Sequence, residues 1–160
     1  MASSFNPLTS VQLNQYLTSD PYFIGVYPRD CLPKTLSDCR RQSPPLTLIV
    51  NTDTSNLSGR HWVAIYVDEY YHGEYFDSLA QPIPLHLSLW LSRFSTGWTY
   101  VLQPFIDPPI QSIYTQTCGA FTYYFVHRRP LVDSIRQVLL PFHRHESNDT
   151  FVIAYLNKNT

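Results

Sequence analysis

The chain has 160 residues, 44% of them hydrophobic and only 14% charged, which excludes disordered and coiled-coil classes and fits one domain over residues 1–160. Eleven Lys and Arg stand against twelve Asp and Glu, so any grip on nucleic acid or anionic lipid has to come from a local patch. Three cysteines form no closed disulfide framework; with no basic-then-apolar leader and no apolar run of about 20 residues, the expectation is a soluble, non-secreted protein of a reducing compartment.

Thr9 lies three residues before Gln12, the spacing of a capping box, and Leu13, Tyr16 and Leu17 share one helical face, which predicts a short helix ending near Asp20-Pro21. Residues 22–45 carry Gly25, Pro28, Pro33, Pro44 and Pro45 and read as an irregular wrap. β-Branched and aromatic residues then predict strands at 46–51, 61–68 and 74–78. The last two are joined by a short connection containing Gly73, so they should form a hairpin. Pro84 suits the first turn of a largely buried helix through Leu87, Trp90, Leu91 and Phe94. A further strand is expected at 100–105. From Cys118 a bulky apolar stretch predicts a central helix, interrupted by Pro130 and continued at helical spacing to Leu140. A last helix should start at an Asn148-Asp149 cap and carry Phe151, Val152, Tyr155 and Leu156. The implied class is α+β, with helices flanking a mostly antiparallel central sheet.

Four residues could do chemistry together: His61 at the head of one strand, Asp77 on the next, and Gln111 followed seven residues later by Cys118. Singly each is ordinary, since a lone His, Asp, Gln or helix Cys is more often structural. The hairpin, however, brings His61 to the Asp77 end of its partner, where a carboxylate would fix the ring tautomer. The other ring nitrogen would face Cys118 if the helix that begins there runs beneath the sheet. A helix N-terminus and an adjacent imidazolium both favour a thiolate, the form that attacks carbonyls. The Gln111 amide and the Cys118 N–H could then be the two donors of an oxyanion hole. Gly119 would leave room for a substrate backbone. Cys31, Cys39, His143 and His145 fit no usual zinc spacing, and no metal is expected. The sequons Asn56-Leu57-Ser58 and Asn148-Asp149-Thr150 read as turns.

These motifs carry a resemblance over most of the first 127 residues. Asp20-Pro21-Tyr22-Phe23-Ile24-Gly25, Asn51-Thr52, Gly59-Arg60-His61-Trp62, Tyr75-Phe76-Asp77-Ser78 and Gln111 through Cys118-Gly119 follow each other as they do in adenain, the cysteine proteinase family of adenoviruses. The SUMO-deconjugating proteases are distant cousins of that family. The resemblance implies a thiol endopeptidase with Cys118 as nucleophile, His61 as general base and then acid, Asp77 as orienting carboxylate and Gln111 as oxyanion donor. It implies supporting roles for Trp62, Gly119 and Asn51, viral capsid or core precursor proteins as substrates, and action in the host nucleus and virion. No cofactor is required for the chemistry. An activating viral peptide and DNA are accessory partners of adenain. Here residues 98–109 contain no cysteine to hold such a peptide by a disulfide, and the basic candidates for DNA reduce to two lysines and the pairs Arg40-Arg41 and Arg128-Arg129, read as solvated. Adenovirus enzymes commonly carry Glu where this chain has Asp77. The competing readings are an isopeptidase acting on ubiquitin-like modifiers and an idle protein-binding module.

Overall fold

Among the described residues, five strands form one sheet in the order β1-β2-β3-β4-β5, so chain order and spatial order coincide. The computed structural model describes residues 5–53, 61–142 and 147–160. Strands β2 (Leu46–Asn51), β3 (Trp62–Val67) and β4 (His72–Phe76) are antiparallel. The edge strands β1 (Phe23–Pro28) and β5 (Gly97–Tyr100) join them in parallel. The antiparallel sheet expected from the hairpin is therefore the centre of a mixed one.

Alternation along β3 builds both faces of the core. Trp62, Ala64 and Tyr66 point to one cluster, with Phe76 and helix α3 (Cys118–Arg128); Val63, Ile65 and Val67 point to another, with helix α2 (Leu85–Phe94). Because it fills the middle of the first cluster, α3 is buried continuously from Cys118 to Val126, and Phe125 stacks on Phe76 with centroids 4.6 Å apart. Each such buried aromatic or aliphatic side chain contributes about 1.5–3 kcal/mol. Helix α1 (Ser10–Leu17) packs Leu13 and Leu17 on the same face, and its capping box between Thr9 and Gln12 is complete. A 3₁₀ turn at Arg129–Leu131 follows α3 at Pro130. Helices α4 (Ile135–Leu139) and α5 (Asn148–Asn159) complete that layer.

Four expectations need correction. The wrap at 22–45 contains β1, disguised because this edge strand has an irregular register between Phe23 and Val26, with Gly25 at φ +149°, and ends on Pro28. Such features are tolerated where one strand edge is unpaired. The strand expected at 100–105 lies at Gly97–Tyr100; beyond it Pro104 and the Asp107 carboxylate, which accepts from the Gln103 N–H, turn the chain. Pro84 is the N-cap of α2 and not its first-turn residue, and Ser147 caps α5 in place of Asn148-Asp149. Gly59-Arg60, the sequon at Asn56 and both His143 and His145 lie outside the described residues. Among the described residues no group of three or more His, Cys, Asp and Glu is placed to hold a metal ion, and no helix is long and apolar enough to cross a membrane.

Candidate active site

The hairpin register pairs Ala64 with Phe76, so His61, one residue before β3, meets the chain just after β4. There His61 Nε2 donates to Asp77 Oδ1 at 2.7 Å. The same oxygen accepts the Leu79 N–H at 2.8 Å, which fixes the carboxylate in a tight turn. Asp77 is buried, while His61 keeps 19% of its side chain exposed. With Nε2 engaged, Nδ1 is left for Cys118, whose side chain hydrogen-bonds the imidazole. Burial pushes the His61 pKa down, but the Asp77 hydrogen bond and then that of Cys118 outweigh it and raise the pKa to about 10. The ring is therefore held as an imidazolium at neutral pH, between a carboxylate and a sulfur.

Cys118 is the first residue of α3. No side chain caps this helix: the Thr117 hydroxyl turns away to donate to Asp149, and the positive end of the helix faces the sulfur. Gln111 is buried beside the same turn. Its Oε1 accepts from the Ser78 hydroxyl at 2.6 Å and its Nε2 donates to the Thr115 carbonyl at 3.1 Å. Those two bonds fix which way the amide points. Gln111 also lines a cleft of about 1040 Å³ bounded by Leu79, Ala80, Ile106 and Pro109.

The supporting residues sit differently from the expectation. The space beside Gly119 is filled by the chain itself: an added Cβ would lie 2.9 Å from Leu8 Cβ and 3.3 Å from Trp62 Cδ1. Close packing of α3 against Trp62 and the N-terminal segment thus calls for glycine at this position. Trp62 is buried and donates its indole N–H to the Leu8 carbonyl at 3.0 Å, which anchors that segment under the site. Asn51 pairs with Trp62 across the sheet, and its Oδ1 accepts the Asp53 N–H, shaping the end of β2. The sequence reading missed the role of Ser78, although it directly follows Asp77, because its partner Gln111 lies 33 positions away.

An imidazolium bonded on one side to a buried carboxylate and on the other to a helix-terminal thiol can hold a nucleophilic sulfur and release a proton. No protein-family profile and no curated protein matches the chain. Solved structures do, and the chain shares its fold with those of the ASFV pS273R protease. One structure of that protease matches 92% of this chain and 66% of its own, with a TM-score of 0.66 and 17% identity. A selenomethionine structure of it matches 66% of this chain and 42% of its own, with a TM-score of 0.50 and 24% identity. The chain thus spans between about two-fifths and two-thirds of the ASFV protease chains. The central domain of the uncharacterized Lpg1148 protein from Legionella pneumophila matches over 96% of both chains, with a TM-score of 0.57 and 12% identity.

Proposed function

We propose that the protein is a viral cysteine endopeptidase of the adenain type that cleaves structural or core precursor proteins during particle maturation, in the host nucleus and the virion. The observation that carries this reading is the hydrogen-bonded series Asp77, His61 and Cys118, with Gln111 bonded to Ser78, the residue after Asp77. The Cys118 sulfur attacks the scissile carbonyl, and the resulting oxyanion is held by Gln111 Nε2 and the Cys118 N–H. Protonated His61 gives its proton to the leaving amine, which departs and leaves a thioester. Neutral His61 then takes a proton from water, whose oxygen attacks the thioester; collapse breaks the carbon–sulfur bond, frees the acid product and leaves the sulfur as a thiolate beside the protonated imidazole. Asp77 holds the ring in the tautomer that both steps need.

The Ulp-like fold favours one second reading, removal of a ubiquitin-like modifier from its conjugate. Both are tested by incubating the chain with viral capsid and core precursors and, separately, with SUMO and ubiquitin conjugates, with cut sites read by mass spectrometry. Cleavage of the precursors, lost in Cys118→Ala with folding intact, supports the endopeptidase. Cleavage of the conjugates alone replaces it with the isopeptidase, and cleavage that survives Cys118→Ala removes both. Neither a DNA contact nor an activating peptide enters the chemistry. Arg129, expected in a solvated pair, is buried and committed to Glu74, while Arg40 donates to the Thr18 carbonyl and Arg41 lies over the Tyr22 ring.

A further inference from the structure

Helix α5 is pinned to α3 by the buried Val152 and Leu156 and by Phe151 and Tyr155, whose rings meet Tyr124 edge to face. Its first turn lies against the segment that joins Gln111 to Cys118. Asp149 Oδ1 accepts from the Thr115 hydroxyl at 2.6 Å and from the Thr117 hydroxyl, and Oδ2 accepts the Ser112 N–H at 3.1 Å. Next to it, Asn148 Nδ2 donates to the Ile110 carbonyl at 3.0 Å. Two of these contacts touch the oxyanion donors at one remove. Thr115 offers its carbonyl to Gln111 Nε2, and Thr117 immediately precedes Cys118.

We propose that Asp149 is a positioning residue that sets the separation between Gln111 Nε2 and the Cys118 N–H, so that the competence of the site depends on the docked start of α5. This rests on the proteolytic reading above. An oxyanion hole works only if its donors already stand about 2.7–3.1 Å from where the charge develops. The segment between the two donors has no helix or strand of its own, and a single carboxylate gathers three of its donors. Without that carboxylate the Ser112 N–H turns to water, the Thr115 hydroxyl keeps only the Ser112 carbonyl at 2.9 Å and the Thr117 hydroxyl at 3.0 Å, both within the segment itself, and the oxyanion donors drift apart. The effect falls on the transition state and leaves substrate binding nearly alone, so kcat drops while KM holds. Alkylation of Cys118 by iodoacetamide uses the sulfur and His61 but forms no oxyanion, and it separates this role from general damage to the site.

The test uses the full chain, a fluorogenic peptide ending in Gly-Gly coumarin amide, iodoacetamide labelling, and NMR hydrogen exchange at the Ser112 amide. In Asp149→Ala, kcat should fall about 10- to 100-fold, within the range for a weakened oxyanion donor. KM and the Cys118 labelling rate should stay within about twofold, and Ser112 should lose its exchange protection. Asp149→Asn, which keeps an oxygen for the hydroxyls, should recover part of the kcat. Ser147→Ala, which weakens the α5 cap without touching the segment, should leave kcat within about twofold. Equal losses in Asp149→Ala and Ser147→Ala, or labelling that slows in step with turnover, would overturn the proposal. Unchanged Ser112 protection in Asp149→Ala overturns it whether or not the chain cleaves the peptide. An inactive wild-type chain whose Ser112 protection still depends on Asp149 removes the proteolytic reading and retains the positioning contact.

Discussion

Strand β4 and the residue just beyond it carry two buried carboxylates, Glu74 and Asp77, and each has a cation opposite it. Glu74 is gripped at both oxygens by Arg129, at 2.6 and 2.7 Å, and the guanidinium also lies 4.7 Å over the Tyr66 ring and donates to the Val132 carbonyl. Asp77 meets His61 through one oxygen, and the imidazole keeps a second nitrogen for Cys118. A guanidinium never gives up its proton in a protein and a bidentate fork uses both carboxylate oxygens, so the first pair can only hold the 3₁₀ turn after α3 onto the sheet. An imidazolium can lose a proton and regain it. The same strand therefore carries a permanent clasp at its middle and a proton carrier just beyond its end, and the difference lies in the partner and not in the carboxylate.

The contrast can be broken from either side. The largest effect should come from His61→Ala, which removes the proton carrier: peptide turnover should fall by about 10⁴-fold, or about 5 kcal/mol of transition-state stabilisation. Turnover retained in this variant would place the proton transfer elsewhere. On the other side, Arg129→Ala strands a buried Glu74 charge and should cost about 3–5 kcal/mol of stability in urea unfolding. Exchanging the pair together, Glu74→Met with Arg129→Met, should recover most of that loss, because two apolar groups need no partners. A double variant as unstable as the single one would mean that the clasp does more than cancel its own burial. Asp77→Asn should be milder than His61→Ala, because the base survives without its orientation.

The smallest effect is one of pH. The His61 pKa is raised in the folded chain from 6.5 to about 10, so its contribution to stability is fully present below pH 6.5 and fades as the pH rises towards 10. The stability advantage of wild type over Asp77→Asn should therefore shrink between pH 6.5 and 10 in denaturant titrations. The Arg129 pair, whose cation does not titrate there, should show no such slope.

The two carboxylate pairs also differ in how far they could be read in advance. His61 and Asp77 were legible because a short connection joins two strongly β-forming stretches, and an antiparallel register then brings their ends together. The helix start at Thr9 was legible because a capping box is written in four consecutive positions. Arg129 was misread because its partner lies 55 positions upstream and nothing periodic links them. The same limit hid Ser78 with Gln111, Leu8 with Trp62, and Asp149 with the oxyanion segment, all long-range hydrogen bonds. Gly119 was read as glycine for a substrate, whereas its neighbours are Leu8 and Trp62. Bringing Cys118 to His61 needed α3 to pass beneath β3, which the motif resemblance implied and local patterning did not.

The account stands most directly on the pairing of Cys118 with His61, and competitive thiol labelling reads it. With limiting iodoacetamide at pH 6.5 and peptide mass spectrometry, wild type should be modified first at the buried Cys118, ahead of the exposed Cys31. In His61→Ala that order should reverse. Labelling of Cys31 or Cys39 as readily as Cys118 in the wild-type chain would contradict the assignment of the nucleophile.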